Sequence, residues 1–453
     1  MAQTETPPVA AAALDLLSDL VTQAQRAGAD EADAVLVDSV ALNVGRRLGK
    51  PEQLERTESG EIGLRVLVGK RQAMVSSADR SPKALRATVE RAVAMARAVP
   101  EDPFAGLAAE GEIARAWADL DLNDPAEPDV ETLIEDANRA EAAALAVPGI
   151  TNSEGASASW GRSVMSLVAS NGFAGSYAGS NHSLSVSVLA GEGTGMERDY
   201  DYTTAAFRAA LDAPEAIGRK AGERAIRRLN PKKGETKTLP VVFDPRISGG
   251  FLRSLSGAIS GAAIARGTSF LKEMLGKKIF SDGVTVWDDP SLKRAMRSRP
   301  FDGEGIAAIR RAIVENGELT TWLLDTRSAR QLGLRSTGHA SRGAASPPSP
   351  SPSNLWLAPG TLSPEALIGE IAEGFYVTEM MGMGTNLLTG DYSRGAAGFW
   401  IKNGKLDFPV SEMTVAGNLR DMFLRLTPAN DLLFKTGIDA PTIRIDGMTV
   451  AGT

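Results

Sequence analysis

The sequence predicts an α+β fold in two domains. Three observations carry this. The first half alternates helical and extended patterns. The second half is dominated by extended runs and Asn-Gly hairpins. Between them, LNPKKGETKTLP (Leu229–Pro240) places Pro, Gly and a charge cluster between a helix and a new strand. The break near residue 235 divides the chain into domains 1–235 and 236–453. With 453 residues, each domain can bury its own core.

The elements follow in order. Leu14, Leu17, Leu20, Val21 and Ala24 share a helical stripe that Gly28 stops. AVLVDSVALNVG (Ala34–Gly45) and EIGLRVLVGKRQAMVSS (Glu61–Ser77) are β-rich. Ser81 caps a helix that has Pro82 in its first position and runs to Val99; Asp129 caps another. A long β region spans Ala156 to Tyr202, with Asn171-Gly172 predicting a type I′ hairpin. Asp212 and Glu215 predict a capping box for a helix carrying Ile217, Ala221, Ala225 and Leu229. Beyond the break, Asn316-Gly317 and Asn403-Gly404 predict two more hairpins. A helix is expected from Ser363-Pro364 to Gly374, with Leu367, Ile368 and Ile371 inward. SPPSPSPS (346–353) reads as an exposed loop or flap without regular structure.

Composition excludes several functions. A formal charge of −7 argues against a nucleic-acid partner, because such binding rests on Lys and Arg neutralising phosphates. The chain has no Cys, hence no disulfide, thiolate ligand or thiol nucleophile. No stretch approaches the roughly 18 apolar residues of a membrane span. The N-terminus has no basic residue before its short apolar run, so the expectation is a soluble, cytoplasmic protein with no membrane partner.

The search for chemistry finds no catalytic and no metal-ligating set. His182 and His339 are far apart, and neither stands beside an acid in sequence, so both read as structural. There is no G-x-S-x-G elbow and no phosphate-binding loop; a Ser–Lys pair around LRSLSGAISG and Lys272 is a minor alternative. The pieces SDG, DDP and DGEG read as turns. In GDYSRGAAGFWIKNG (Gly390–Gly404), Arg394 lies among small residues with Tyr392, Gly395 and Trp400 nearby. Two readings stay open there: recognition of a peptide or partner chain, or a buried guanidinium satisfying a tight loop.

That stretch, with TEMMGMGTN before it and PVSEMTVAGNLRDM after it, resembles the C-terminal signature of the PmbA/TldD family. PSNLWLAPG, VVFDPR and GLRVLVGKRQAMVSS are similar to further family motifs, so the resemblance covers nearly the whole chain. It implies an α/β sandwich-like N-terminal domain before a sheet-rich C-terminal domain. It also implies a cytosolic proteolytic heterodimer acting on unfolded peptides, leader peptides or antitoxins held in extended form, and an association with DNA gyrase. In the TldD branch a helix carries HExxxH, and a later Cys is a further zinc ligand. Aligned here, the HExxxH positions fall on Arg253, Ser254 and Ala258. An arginine stays protonated and alanine has no ligand atom. The resemblance therefore implies the PmbA (TldE) branch: no cofactor in this chain, zinc in a TldD-type partner, and a homodimer when that partner is absent. Tyr392, Arg394, Gly395 and Trp400 are then expected at an interface or peptide cavity. The helix over 253–258 shows an apolar stripe of Phe251, Leu255, Ala258, Ile259 and Ala262. The alternatives are a stand-alone interaction protein with a toxin–antitoxin or gyrase-related partner, and a homodimeric hydrolase with an unrecognised site.

Overall fold

The computed structural model describes residues 8–452; the reading of Met1–Pro7 as lacking a targeting signal lies outside them. The architecture is multi-domain α+β. Six antiparallel strands form the first sheet: β1 (Glu31–Arg47), β2 (Lys50–Val68), β3 (Arg71–Ser77), β4 (Ile150–Ala169), β5 (Ala174–Ala190) and β6 (Glu197–Ala205), in the order β3-β2-β1-β4-β5-β6. Four helices cover one face: α1 (Pro8–Arg26), α2 (Pro82–Ala98), α3 (Val130–Leu145) and α4 (Pro214–Arg227). The period-2 alternation of β1 decides which face that is. Ala32, Ala34, Leu36, Leu42 and Val44 point to the helices. Val35 points the other way, packing with Leu167 and Ala169 on Phe301, Ile306 and Ala344 of the second half. Beyond Val37 that second face is only half-buried, at Ala41, Asn43, Ser159, Ser183 and Ser185.

The predicted caps form at two helices. Ser81 Oγ accepts the Ala84 N–H at 3.3 Å, and Asp129 Oδ1 that of Thr132 at 2.7 Å. At α4 the expectation fails. Ala213 occupies the cap position without a side-chain bond, and Asp212 instead donates its N–H to Thr203 Oγ1 at 3.1 Å. Pro214 starts that helix, since it has no N–H to satisfy and a fixed φ. The hairpins at Asn316-Gly317 and Asn403-Gly404 have both residues at positive φ, as type I′ requires. At Asn171-Gly172 only the glycine is left-handed (φ +90°). That turn is a three-residue loop between the paired Ala169 and Phe173, and the Asn171 side chain is occupied with Ala108 O and Phe173 N–H. The first half of β2, Lys50–Gly60, carries no periodic apolar signal, and sequence reasoning passed over it. It is a solvated hairpin arm whose charges protect its outer edge.

In the second half, β7 (Lys237–Phe243), β8 (Glu373–Met381), β9 (Asp391–Lys402), β10 (Lys405–Asn418) and β11 (Ile443–Ala451) lie in the order β10-β9-β8-β7-β11. Thr414–Ala416 of β10 pair again with Thr449–Ala451 of β11, which closes the sheet into a ring. The ring shares one core with α5 (Pro245–Ala258) and with a sheet of short strands that includes Val286–Asp288, Arg311–Glu315 and Leu355–Leu357. Two expectations need correction. The helix opening at Ser363 ends at Gly369, because Ile371 and Ala372 give their carbonyls to the Asn403-Gly404 turn. SPPSPSPS is exposed only toward its tip. Ser349–Pro350 pair with Ala340–Ser341, and Ser353 is buried with its N–H on Asp288 at 2.8 Å.

The two halves meet over buried charge. Asp33 of β1 lies between Arg65 of β2 (Nε at 2.8 Å) and Arg342 (Nη1 at 2.6 Å). Near them sits Glu304, which accepts the Thr326 N–H at 2.8 Å. Burial, then the charge of Asp302, push Glu304 up to about 7, with Asp325 adding to the rise and Arg65 opposing it. A raised carboxyl gives stability that is full below its ordinary value of 4.5 and is lost as pH rises through about 7. Glu304→Gln keeps an acceptor for Thr326 and removes this titration. We expect it to raise the melting temperature at pH 8 while leaving it unchanged near pH 4. An unaltered pH profile would show that Glu304 ionises normally.

Candidate functional site

Directly after β7 comes Asp244, whose Oδ1 accepts the Arg246 N–H at 2.9 Å and caps α5, with Pro245 in its first position. Phe251, Leu252, Leu255 and Ala258 bury one face of α5. The helix stops at Ile259, and a new short helix, Gly261–Ala265, begins. The predicted stripe therefore breaks before Ala262, and Leu252 joins it. Arg253 is exposed; Ser254 is half-buried, with Oγ donating to Gly250 O at 3.2 Å. Ala258 is fully buried, and its carbonyl accepts Ser269 Oγ at 2.6 Å. A guanidinium, a hydroxyl turned onto its own helix and a methyl do not fit a zinc ion. Among the described residues no group of three His, Cys, Asp or Glu is placed to hold a metal.

The four residues expected at an interface or cavity separate along β9. Tyr392 is buried and stacks on Phe251 of α5, ring centroids 5.5 Å apart. Burial pushes its hydroxyl up to about 12, against the charge of Arg394. Arg394 is half-buried, with Nε enclosed and unpartnered. Gly395 lies beside Met381 of β8, whose Cβ is 3.3 Å from where a side chain would start. Trp400 is near the other end of the strand, in the core, with Nε1 donating to Glu373 at 3.3 Å and its ring beside Phe375 and Phe408. The loop between β8 and β9 returns over α5: Leu387 gives its carbonyl to Phe270 N–H and lies against Gly257.

A groove of about 760 Å3 lies between the uncovered end of the first sheet and the start of α5. Ser157, Ser185 and Ser187 line it from the sheet, and Ile247 of α5 and Glu379 of β8 from the second half. Arg198 of β6 bridges Glu154 (3.5 Å) and Glu379 (2.9 Å). Arg228 supplies Glu379 with a second cation at 2.6 Å. Burial alone would raise Glu379; the two arginines override it and hold the carboxyl below its ordinary value. Behind it, Arg246 pairs with Asp199 at 2.7 Å and Asp244 at 3.2 Å, and Tyr376 donates to Asp244 at 3.0 Å. Sequence reasoning missed Arg198, Arg246 and Glu379 as site residues. Their one signal was that Arg246 and Glu379 sit inside VVFDPR and TEMMGMGTN.

In space each histidine stands beside an acid that is remote in the sequence. His182 is buried with Nε2 3.2 Å from Asp124, off the line of a hydrogen bond. Burial, only partly opposed by Asp124, holds it below its ordinary value. His339 is buried between Thr337 (Nδ1, 2.8 Å) and Asp288 (Nε2, 3.2 Å), and Asp288 also takes the Ser353 N–H and hydroxyl. None of these residues lines the groove. No helix among the described residues is long and apolar enough to cross a membrane.

A helix-covered sheet followed by a strand ring, with α5 packed in the core of the ring, defines a two-part scaffold around the groove. The chain belongs to the PmbA/TldD metallopeptidase family. Family models match residues 32–96 (PmbA/TldA metallopeptidase domain 1), 123–229 (central domain) and 236–452 (C-terminal domain). It is 40% identical over 425 residues to Metalloprotease PmbA of Escherichia coli O157:H7, covering 93% of this chain and 92% of that one. A Metalloprotease TldD homolog of Buchnera aphidicola is 26% identical over 284 residues, 58% of each chain. Among solved structures, a Bacteroides thetaiotaomicron protein bearing the name modulator of DNA gyrase superposes with a TM-score of 0.90 at 30% identity, covering 97% of this chain and 98% of its own. TldE from Thermococcus kodakarensis shares the fold, with a TM-score of 0.86 at 20% identity, covering 96% of this chain and 100% of its own.

Proposed function

We propose that this chain is the non-catalytic, PmbA/TldE-type subunit of a cytoplasmic zinc metallopeptidase that acts on unfolded peptides, leader peptides or antitoxins. Residues 1–235 and 236–453 are its two domains, and the zinc belongs to a TldD-type partner. The observation that carries this reading is α5, where Arg253, Ser254 and Ala258 occupy the positions aligned with HExxxH and offer no ligand set. Relatives named for both PmbA and TldD support a paired system. The net charge of −7 supports a peptide substrate over a nucleic acid.

In this reading the chain's own residues shape and charge the groove. Arg198 and Arg228 fix Glu379, and the small side chains of the sheet leave room for extended backbone. Elemental analysis after dialysis against dilute chelator should find no stoichiometric zinc. Mixing with the TldD-type homologue should give a stable complex that turns over peptides, while this chain alone does not. About one tightly held zinc per chain, or turnover by this chain alone, overturns the reading. Arg253→His with Ala258→His should create no peptidase, because two imidazoles without the rest of the coordination shell rarely hold a catalytic metal.

A further inference from the structure

A second cavity, of about 230 Å3, lies on the other side of β6 from the groove. Successive residues of that strand alternate: Arg198 and Tyr200 line the groove, and Asp199 lines the smaller cavity. Its walls come from both halves of the chain. Arg224 and Arg227 of α4 belong to the first half; Asp244 and Arg246 at the start of α5, Phe399 of β9 and Leu406 of β10 belong to the second.

The charged groups in it are unequally committed. Asp199 Oδ1 accepts the Arg246 Nη1–H and the Tyr200 N–H, each at 2.7 Å, and its Oδ2 faces Arg228 at 3.8 Å. Asp244 Oδ1 accepts the backbone N–H of Arg246 at 2.9 Å and its Nε–H at 3.2 Å, and Oδ2 accepts the Tyr376 hydroxyl at 3.0 Å. Both carboxylates are thus engaged, but the guanidiniums have hydrogens to spare. Arg246 leaves Nη2 unbonded. Arg224 reaches Asp201 at 2.7 Å and the Tyr200 carbonyl at 3.3 Å, both through Nη1, which leaves Nε and Nη2. Arg227 is exposed and makes no hydrogen bond or ion pair among the described residues; its guanidinium lies over the Phe399 ring, 5.0 Å from the centroid.

A cavity whose acids are paired and whose spare charged groups are all N–H donors favours an anion, since hydrogen bonds between ions are about twice as strong as neutral ones. The buried Phe399 and half-buried Leu406 add an apolar wall. At roughly 30 Å3 per water, the space equals on the order of eight waters, which suits a molecule the size of one amino acid.

We propose that Arg224 and Arg227, with Phe399 and Leu406, form a binding site for the carboxylate of a single residue with an apolar side chain. That residue is a free amino acid or the last residue of a short peptide. A guanidinium takes a carboxylate through two parallel N–H bonds, and the apolar wall takes the side chain. The site stands without the peptidase reading. On that reading its ligand is a hydrolysis product, because cleaving a peptide bond frees a carboxylate.

The test is isothermal titration calorimetry of the full chain with leucine, N-acetyl-leucine, N-acetyl-leucinamide, N-acetylglycine and inorganic phosphate. N-acetyl-leucine should bind, and the amide should bind at least about tenfold more weakly, the worth of one charged hydrogen bond. N-acetylglycine should bind more weakly too. Leucine binding as well as its acetyl derivative identifies the free amino acid as a ligand; binding of the acetyl derivative alone identifies a peptide end. Arg227→Gln, at an exposed position, should weaken N-acetyl-leucine about tenfold with an unchanged circular dichroism spectrum. Leu406→Ala should remove the preference for leucine over glycine. The site is overturned by absence of binding, by equal binding of acid and amide, by phosphate binding as tightly as the carboxylates, or by either variant behaving as wild type. Pairing and turnover with the TldD-type homologue are read separately, so their failure sinks the subunit reading and leaves the cavity's result standing.

Discussion

Gly398→Ala is expected to remove most of the stability of the protein, while Gly395→Ala costs little. Both glycines lie in β9, within the signature stretch, and neither has a positive φ. A Cβ on Gly398 would stand 1.9 Å from the Tyr376 carbonyl oxygen and 2.9 Å from its carbon. Those atoms are backbone of β8, held in the ladder where the pairing shifts register near Val377, so they cannot rotate aside. Relief requires the ring to open there, and a loss above about 4 kcal/mol is the range of such core overpacking and strain. At Gly395 the nearest atom is Met381 Cβ at 3.3 Å, on the last residue of β8, where a shift of a few tenths of an ångström relieves the contact, and a cost of about 1 kcal/mol or less is expected. Urea titration of both variants checks the pair. A Gly398→Ala midpoint close to that of the wild type would show that β8 and β9 can separate locally. The sequence alone could mark the stretch as crowded with small residues; which glycine is indispensable depends on the register between two strands that it does not state.

The same division runs through the rest of the molecule. Helices with a cap residue and an apolar stripe were legible: α2 and α3 begin where Ser81 and Asp129 place them. Hairpins whose Asn-Gly is the whole turn were legible too. The failures occur where a local signal is overridden by a contact from elsewhere. Asp212 is taken by Thr203, Asn171 by Ala108, and the end of the helix after Ser363 by a hairpin far along the chain. The Lys50–Gly60 arm was invisible because a strand solvated along its length needs no apolar alternation. For the candidate site, α5 and the family signature were visible, but the groove is not a motif. Arg198, Arg246 and Glu379 converge from three segments, and the partners of His182 and His339, Asp124 and Asp288, stand more than fifty residues away along the chain.

Asp33→Ala is the second change expected to have a large effect, and it tests what holds the two halves together. Asp33, Arg65 and Arg342 are all buried, and one carboxylate serves two guanidiniums. Burial works to raise Asp33, and the charges of Arg342 and Arg65 override it, leaving the carboxyl below its ordinary value of 3.8. The sharing is unequal. Asp33 raises Arg65 above its ordinary value despite burial, whereas burial and the like charge of Arg65 leave Arg342 below it, with Nε and Nη2 unpartnered. Removing Asp33 strands two cations away from water, and breaking such a buried group costs about 3–5 kcal/mol. Arg342→Met should cost clearly less, since it leaves a matched Arg65–Asp33 pair and fills similar space with an apolar chain. A depressed carboxyl gives stability that is present above its unfolded value and is lost as pH falls through its folded value. The gap between wild type and Asp33→Ala should therefore shrink below about pH 4, where the unfolded chain takes up the proton. Urea unfolding of the three proteins at pH 7 and pH 3.5 tests both the order and the sign. If Arg342→Met is as damaging as Asp33→Ala, the outer guanidinium is an equal partner, and the unequal sharing is wrong.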